Sequence, residues 1–417
     1  MFRDYLADSW ASYRVIVDPK NIEMPDSSFL VAIRRHLHRN PELSGREFNT
    51  TRFLAAELES LGIPYSLGPE NRGLVVDLGN PNAERRLAIR ADIDAIAVSD
   101  VKQVEYRSLV DSVMHACGHD AHSSILLGTV KALHKYIDVQ PTEHAIRAIF
   151  QPEEETATGA QRMIQFGVLE GVTSIIAAHV DPSRPVGKIA LRPGVVTAHC
   201  NEISIDIIGK GGHAARPHET VDRIELAVEF ISACYEAVPR YEQSEHPVVL
   251  SFTAIQGGEQ SNVIPEKVRL LGTMRSLEQT TRERAIAKVH EFAKELGEEK
   301  GAEIQVNFGL VVPSVLADES LTGFVREVGS DVLGAENVLE IPEPSMGGED
   351  FAFYSQQLPA SLVRLGCRGE KTGGLPLHNS GFDIDEGVLP VGMQVMTSVA
   401  TRFLNQKDSS IDSNLNR

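Results

Sequence analysis

The sequence predicts an α/β protein in which a mixed, mostly parallel sheet is flanked by helices and a small α+β domain is inserted. Apolar runs typical of strands alternate with amphipathic helical segments over the first 198 residues, and this character returns after residue 310. Between these parts the predicted order is β-α-β-β-α-β, as in ferredoxin-like domains. The length of 417 residues also exceeds the size of about 250–300 residues at which single cores stop growing. The predicted domains are therefore 1–198 with 311–417, and 199–310 as the insertion.

The elements of the larger domain follow from local patterns. Residues 28–62 predict two amphipathic helices around a Pro-Glu-Leu-Ser-Gly turn, with Gly62 as the C-cap. The runs GLVVDLG (73–79) and RLAIRAD (86–92) predict strands that form a hairpin or lie side by side. The remaining predictions are a helix at 123–137, a strand at 145–151, a helix at 158–171 and a strand at 174–180.

The inserted domain begins where the hydrophobic pattern changes. Residues 200–209 alternate strictly between apolar and polar side chains, as a half-exposed strand does. The predictions that follow are a helix at 221–237, strands at 248–258 and 267–276, a helix at 279–300 and a strand at 303–309. The polar tail KDSSIDSNLNR predicts disorder.

Composition argues against several classes of protein. A net charge of −18 repels phosphate backbones, so we expect no nucleic-acid partner. The chain has no apolar run near 18 residues, which predicts no membrane span, and charges interrupt the start MFRDYLADSW too often for a signal peptide. The cysteines are scattered without a CxxC pair, at Cys117, Cys200, Cys234 and Cys367. These features predict a cytoplasmic protein.

Side chains that bind metals crowd into the segment MHACGHDAHSS at 114–124. Its histidines are His115, His119 and His122. Cys117 and His119 share a face only in an extended segment, so we expect both on a loop before a helix capped by Asp120 or Ser123. Thiolate and imidazole are good ligands for zinc and other borderline metals. The segment therefore predicts part of a metal site.

Other predicted strands end in further candidate ligands. Glu153, Glu154 and Glu155 follow one strand, and three adjacent carboxylates repel one another unless a cation is present. A carboxylate beside a metal can also act as a general base. His179 ends another strand, and His378 lies in a loop rich in glycine and proline. Because these segments meet in an α/β fold, they predict one shared site.

Three kinds of protein fit these residues. The first is a metal-dependent hydrolase. The second is a thiol hydrolase in which Cys117 is the nucleophile and His119 its base. The third is a protein that binds a metal or ligand without catalysis. The extra histidine and glutamate side chains favour the first interpretation, and sensitivity to a chelator would separate it from the second.

Nine motifs, taken in order, resemble those of a known family. They are RADIDAI (90–96), MHACGHDAH (114–122), QPEEE (151–155), AAHVDP (177–182), GKGGHAARPH (209–218), SNVIPE (261–266), GTMRS (272–276), MGGEDFAFY (346–354) and LHNSGFDIDEG (377–387). The set resembles the co-catalytic-metal aminoacylase/carboxypeptidase family, and within it the branch with hippurate hydrolase and the indole-acetyl-amino acid hydrolases. The resemblance covers about residues 28–405.

The resemblance implies a zinc-peptidase-like catalytic domain and an inserted lid domain that also forms a homodimer. It implies hydrolysis of N-acyl amino acids or small amide conjugates by metal-activated water, with dipeptidase or carboxypeptidase activity as the alternative. Each subunit is expected to hold two divalent ions, zinc or manganese before cobalt or nickel.

The resemblance also assigns the site residues of the larger domain. The implied metal ligands are Cys117, His119, Glu155, His179 and His378. In the pattern Gln-Pro-x-Glu-Glu the general base is Glu154. Glu153 stands where a small residue is usual, so a register shifted by one residue stays open. Asp92 and Asp94 are expected to orient or tune the metal site.

In the lid, the resemblance implies that His213 reaches the partner subunit's site and polarises the scissile carbonyl. The residues at substrate-binding positions are Asn262, Arg275, Gly347 and Gly348. An arginine suits the carboxylate of an amino-acid product, because its guanidinium binds carboxylates with two parallel hydrogen bonds. The sequence departs from the family at Ala97, where proline is expected, and over 100–112. These positions are expected to border the pocket and to affect the choice of substrate.

Overall fold

The computed structural model describes residues 22–238 and 247–406, apart from the side chain of Leu310. The chain divides into two compact units. Unit 1 consists of Met1–Gly194, Leu316–Pro342 and Phe353–Arg417, and unit 2 of Val195–Val315 and Glu343–Ala352. The expectations for residues 1–10 and for the tail 407–417 lie outside the described residues. The assignment of 199–310 to a separate domain stays a prediction.

The described elements are numbered in chain order. The helices are α1 (Ser27–Arg39), α2 (Phe48–Ser60), α3 (His119–Val139), α4 (Gly159–Gln165), α5 (Arg223–Ala237), α6 (Gln279–Lys300), α7 (Glu319–Leu333), α8 (Ala352–Ser355) and α9 (Val388–Leu404). The strands are β1 (Ser66–Leu67), β2 (Leu74–Gly79), β3 (Arg86–Asp92), β4 (Ala145–Gln151), β5 (Ser174–Pro185), β6 (Ile189–Leu191), β7 (Gly194–Val195), β8 (His199–Ile208), β9 (Gly212–His213), β10 (Val248–Gln256), β11 (Val263–Ile264), β12 (Lys267–Ser276), β13 (Glu303–Val312), β14 (Leu316–Ala317), β15 (Val338–Glu340) and β16 (Ala360–Arg368).

Unit 1 is built on a mixed sheet in the order β1-β2-β4-β3-β5-β16-β6-β15. The central strands β4, β3, β5 and β16 run parallel to one another, while β2 and β6 run antiparallel to β4 and β16. Helices α1, α3, α7 and α9 pack on one another, and α3, α7 and α9 also pack on the sheet. The core contains buried apolar side chains from the strands, such as those of Ile89, Ile146 and Val363. The carboxyl ends of β3 and β4 therefore lie side by side, where parallel α/β sheets place their sites.

Three predictions for unit 1 are corrected. The strands β2 and β3 do not pair, because β4 lies between them. A turn-forming connection predicts that the two strands lie side by side, but both pair with β4, whose residues come about 60 to 75 positions later in the chain. The helix expected over 158–171 ends at Gln165, since Gly167 and Gly171 adopt positive φ angles of 95° and 70°. The residue at the C-cap of α2 is Leu61, with Gly62 following it at φ 69°.

Unit 2 has the predicted order β-α-β-β-α-β, formed by β8, α5, β10, β12, α6 and β13. Its sheet has the order β10-β12-β8-β13 with antiparallel neighbours. Along β8 the alternation places Ile203, Ile205 and Ile207 in a core with Phe230 and Val289 from the two helices. The fold class read from the sequence is confirmed for both units.

Among the described helices, none combines the length and the apolar character that crossing a membrane requires.

Candidate metal centre

The loop that carries Cys117 and His119 is turned by a glycine. Helix α3 begins at His119, and its N-cap is Gly118 in the left-handed region at φ 88°. A Cβ atom at this position would lie 2.4 Å from Cγ2 of Val180. Only glycine fits both the backbone angle and the space. Both neighbours of Gly118 are thereby brought against the sheet, with Cys117 and His119 buried.

The expectation that Asp120 or Ser123 caps this helix is wrong. Both side chains are engaged elsewhere: the Asp120 carboxylate accepts from Nε of Arg34 at 2.8 Å, and the Ser123 hydroxyl donates to the Asp92 carbonyl oxygen at 2.9 Å. The capping pattern failed because the glycine replaces the usual side-chain cap with a backbone turn.

The other predicted ligands approach from different elements. Glu154 and Glu155 lie in the turn after β4. His179 lies within β5 and not at its end, because this strand continues to Pro185. His378 lies in the loop before α9 at φ 65°, and its amide donates to the carbonyl oxygen of Ala116 at 2.8 Å. That bond ties the two loops together, and the left-handed backbone at His378 is the kind of strain found at functional sites.

Ligand atoms from these elements converge. The Cys117 Sγ atom lies 3.5 Å from Nε2 of His179. The Nε2 atom of His378 lies 3.4 Å from Oε1 of Glu155, although half of the His378 side chain, 53%, is exposed. The donor sets within 4.8 Å of one another include Cys117–His119–His179, Cys117–Glu155–His378 and His119–Glu154–Glu155. All of the ligands that the resemblance implied in unit 1 are therefore brought together.

The histidine tautomers follow from their partners. Nδ1 of His119 lies 3.0 Å from the Asp94 carbonyl oxygen, and Nδ1 of His179 lies 2.8 Å from the Val180 carbonyl oxygen. Because a carbonyl oxygen only accepts, each Nδ1 carries the proton and each neutral ring keeps a lone pair on Nε2. The buried Nε2 of His119 has no hydrogen-bond partner among residues 22–238 and 247–406. It lies 3.8 Å from carboxylate oxygens of Glu154 and Glu155, an arrangement that fits a cation between them.

Two histidines of the same segment are not placed as ligands. Nδ1 of His122 donates to Oδ1 of Asp92 at 2.6 Å, and its Nε2 accepts from the amide of Val180 at 2.9 Å. Both ring nitrogens are thus occupied. His115 is buried and belongs to none of the donor sets found among the described residues. Burial lowers the pKa of His115 to about 4, so this side chain is neutral near pH 7.

The electrostatics of the cluster call for positive charge. Burial, followed by the charge of Glu155, raises the pKa of the Cys117 thiol well above its usual value. Burial alone would lower the pKa of His119, but the negative charge of Asp92 outweighs it and raises that pKa. Burial and the neighbouring His122 lower the pKa of His179. Without a cation, protons on Cys117 and His119 balance the carboxylates, and a bound cation would displace them.

The carboxylates behind the ligands are held by residues that the sequence analysis missed. Nη1 of Arg90 donates to Oδ2 of Asp92 at 2.7 Å. The Ser44 hydroxyl donates to Oδ2 of Asp94 at 2.7 Å, and the amide of Glu155 donates to the same oxygen at 3.0 Å. Burial alone would raise the pKa of Asp94, but hydrogen bonding from His119 outweighs it and lowers that pKa. An arginine inside the apolar run RLAIRAD was the available signal for Arg90.

The remaining predicted residues lie in unit 2, in two places. His213 of β9 pairs with Val263 of β11, and the Asn262 carbonyl oxygen accepts from the amide of Ala214 at 2.9 Å. Elsewhere, Nη1 of Arg275 donates to the carbonyl oxygen of Met346 at 2.9 Å. This bond holds the segment that contains Gly347 and Gly348.

Comparison with known proteins gives the family. A profile of the peptidase family M20/M25/M40 matches residues 88–402. Thermostable carboxypeptidase 2 of Saccharolobus solfataricus is 36% identical over 394 residues, which cover 93% of this chain and 98% of the relative. An N-acetylcysteine deacetylase of Bacillus subtilis is 34% identical over 386 residues, which cover 91% and 99%.

The same comparison extends to solved structures. A dinuclear metal-binding peptidase of the M20 family from Bacillus subtilis superposes with a TM-score of 0.77 at 30% identity, covering 91% of this chain and 99% of that one. The resemblance drawn from the nine motifs is confirmed. The chain belongs to peptidase family M20/M25/M40 and, with it, to the metal-dependent hydrolases that act on amide bonds.

Proposed function

We propose that this chain hydrolyses N-acyl amino acids, with two divalent ions held by Cys117, His119, Glu155, His179 and His378. The observation that carries the proposal is the pair of donor sets that share one thiol: Cys117–His119–His179 and Cys117–Glu155–His378. Each set offers three ligand atoms within 4.8 Å of one another. A catalytic site that keeps three protein ligands per ion leaves a position for water or substrate. Zinc suits this mixture of sulfur, nitrogen and oxygen donors, and manganese is the second candidate.

The ions, when bound, supply Lewis acidity that makes water a nucleophile at neutral pH and polarises a carbonyl. The residues of the chain do the rest. Glu154 lies beside the ligands, with Oε2 at 3.8 Å from Nε2 of His119, and it is only 11% exposed. Its carboxylate accepts a proton from the attacking water and returns that proton to the leaving amine. Asp92 and Asp94 orient the histidines through the hydrogen bonds described above.

The residues of unit 2 are proposed to bind the substrate. The Arg275 guanidinium has five N–H donors, and one of its nitrogens is bonded to Met346. Further donors suit the carboxylate of an N-acyl amino acid. Asn262, Gly347 and Gly348 contribute polar contacts and close approach of the backbone. We further propose a homodimer formed through unit 2, in which His213 polarises the scissile carbonyl at the partner's site.

Two alternatives are distinguished by their chemistry. A thiol hydrolase needs a reactive thiolate, but burial and Glu155 raise the pKa of Cys117, so the free thiol is a poor nucleophile. Carboxypeptidase activity is the second candidate, because a relative 36% identical over almost the whole chain is a carboxypeptidase. The four free cysteines also suit a reducing compartment, and we propose the cytoplasm.

The test combines metal analysis with a substrate screen. We expect about two divalent ions per chain, and loss of activity on chelation that zinc or manganese restores. N-acetyl, N-benzoyl and indole-acetyl amino acids are compared with dipeptides, and the released amine is measured. Preference for the acyl compounds supports the proposal, and preference for dipeptides supports the carboxypeptidase. Full activity of the metal-free protein, abolished by a thiol-alkylating reagent, would overturn the metal mechanism.

A further inference from the structure

The turn that carries Glu154 and Glu155 begins with an unusual residue. Glu153 adopts φ 59°, in the left-handed region that non-glycine residues seldom occupy. Its amide donates to Oε1 of Glu47 at 2.9 Å, and its carbonyl oxygen accepts from the amide of Gly159 at 3.0 Å. In the related motif a small residue is usual at this position. A glycine would satisfy the backbone without any side-chain partner, so the glutamate calls for another explanation.

The side chain of Glu153 is turned away from the ligands and is fully engaged. Oε1 lies 2.5 Å from Nη1 of Arg72, and Oε2 lies 3.1 Å from Nε of Arg162. The Thr158 hydroxyl donates to Oε2 at 3.3 Å. The carboxylate of Glu153 and the guanidinium of Arg72 are only 8% and 4% exposed. In so little solvent, the ion pair is held in one geometry and resists rotation of the backbone at residue 153.

The other side of the turn is anchored independently. The amide of Glu155 donates to Oδ2 of Asp94. The other carboxylate oxygen of Asp94, Oδ1, lies 3.2 Å from Nδ1 of His119, which is one of the proposed ligands. Glu154 is the single residue between the two anchors. Its position relative to the ligands is therefore set by Glu153 on one side and by Asp94 on the other.

We propose that Glu153 is a positioning residue, whose ion pairs with Arg72 and Arg162 fix the turn so that the Glu154 carboxylate faces the reacting water. This inference rests on the proposed role of Glu154 as the base. It assigns Glu153, the first glutamate of QPEEE, a function at the same site without contact with metal or substrate. It also accounts for a side chain that departs from the small residue expected there.

The test uses two variants of Glu153 and one matched control. Glu153→Gln removes the charge and keeps the shape, and Glu153→Gly removes the side chain at a φ angle that glycine favours, so both are expected to fold. Glu70→Gln is the control, because Glu70 pairs with the same two arginines, at 2.6 Å and 3.3 Å, but is 64% exposed and lies outside the turn.

We expect kcat of both Glu153 variants to fall roughly 10- to 100-fold, as when a reacting group is slightly misplaced, with KM nearly unchanged. Titration of the metal-free proteins with zinc should give wild-type stoichiometry and affinity, because the ligands are intact. Glu70→Gln should match the wild type in all of these. Thermal unfolding is measured alongside, since a merely structural role would lower the midpoint without lowering kcat at 25 °C.

Wild-type kcat in both Glu153 variants would overturn the inference, and so would an equal fall in Glu70→Gln. A fall in zinc affinity that accounts for the lost activity would overturn it as well, because Glu153 would then act on the ligands. Glu154→Gln is assayed in parallel. If Glu154→Gln keeps wild-type activity, the proposed base is wrong. If Glu154→Gln is inactive but both Glu153 variants keep wild-type kcat, only the positioning role of Glu153 is wrong.

Discussion

The two units hold most of their proposed site residues differently, although His378 of unit 1 is itself half exposed. In unit 1, Cys117, His119 and His179 are buried, and each of the two histidines has its ring orientation fixed by a carbonyl oxygen. In unit 2, His213 and Asn262 are exposed. The Nδ1 atom of His213 accepts from the amide of Ala215 two residues away, which is a local contact within its own loop.

Under the proposed function, the difference corresponds to two requirements of one reaction. A metal site needs ligands that are already in place, since ordering them on binding would weaken affinity. A residue that recognises an arriving group has to stay accessible until that group arrives. Unit 1 therefore has the character of a preformed ion site, and unit 2 that of a recognition surface. The predictions below test this division, from the largest expected effect to the smallest.

The first prediction separates catalysis from metal binding within unit 1. Glu154→Gln should lower kcat about 10²–10⁴-fold, the typical loss for a general base, while metal content stays at the wild-type level. Glu155→Gln should instead lower metal occupancy. Steady-state kinetics and metal analysis of the purified variants check both. Exchanged phenotypes would show that the base and the ligand are assigned in the wrong order.

The second prediction concerns His213 and the proposed dimer. His213→Ala and Glu154→Gln should each be nearly inactive alone. After mixing and exchange of subunits, a two-fold dimer should recover about a quarter of the wild-type activity, because half of the dimers then contain one complete site.

The control for this experiment is the mixture of Glu154→Gln with a second inactive chain, Glu155→Gln. Both changes lie in unit 1 of their own chain, so a partner chain that contributes His213 from unit 2 cannot restore a complete site in either subunit. A mixture of His213→Ala and Glu154→Gln that stays inactive, although the subunits have exchanged, would show that His213 acts within its own chain or not at all.

The third prediction tests how firmly the ion site is preformed. Gly118→Ala places a methyl group 2.4 Å from Cγ2 of Val180 at φ 88°. The left-handed backbone costs about 1–2 kcal/mol for alanine, and overpacking adds about 1–3 kcal/mol. Gly187→Ala is the matched control, because its φ is also 88° and a methyl group there meets nothing within 4 Å among the described residues. Urea unfolding should show the larger loss for Gly118→Ala, together with weaker zinc binding. Equal losses would mean that the contact with Val180 relaxes.

Much of this arrangement could be predicted from the sequence, and the failures share a cause. Periodicity gave the order of elements in unit 2, and the motifs named the ligand types. The pairing of β2 with β4, the cap of α3 and the direction of the Glu153 side chain were not predictable in this way. Each depends on a distant partner: a strand some 70 residues later, Val180 against Gly118, and Arg72 against Glu153. Local patterns report conformational preference, whereas these features are settled by packing.

The divergent stretch 100–112 gives a further example. It was expected to border the pocket and to affect the choice of substrate. In unit 1 its side chains join a buried ionic network: Asp100 lies 3.3 Å from His38, Lys102 donates to the Phe382 carbonyl oxygen at 2.9 Å, and the Tyr106 hydroxyl donates to Asp383 at 2.7 Å. These contacts indicate a structural role for the stretch, and its influence on substrate choice stays a prediction.

The last prediction, with the smallest effect, uses Tyr106→Phe to decide between these roles. The change removes one hydrogen bond and keeps the ring, so stability should fall by about 1 kcal/mol while the ratio of kcat/KM for N-acetyl and N-benzoyl substrates stays constant.

Burial and the hydrogen bond to Asp383 raise the pKa of Tyr106 to about 12. A group whose pKa is raised on folding stabilises the protein fully below its unfolded pKa of ~10 and loses that contribution as the pH rises through the folded value. The stability difference between wild type and variant, measured by urea unfolding, should therefore be constant from pH 6 to 9 and shrink above pH ~10. A changed ratio of kcat/KM for the two substrates, with unchanged stability, would indicate instead that the stretch borders the substrate pocket.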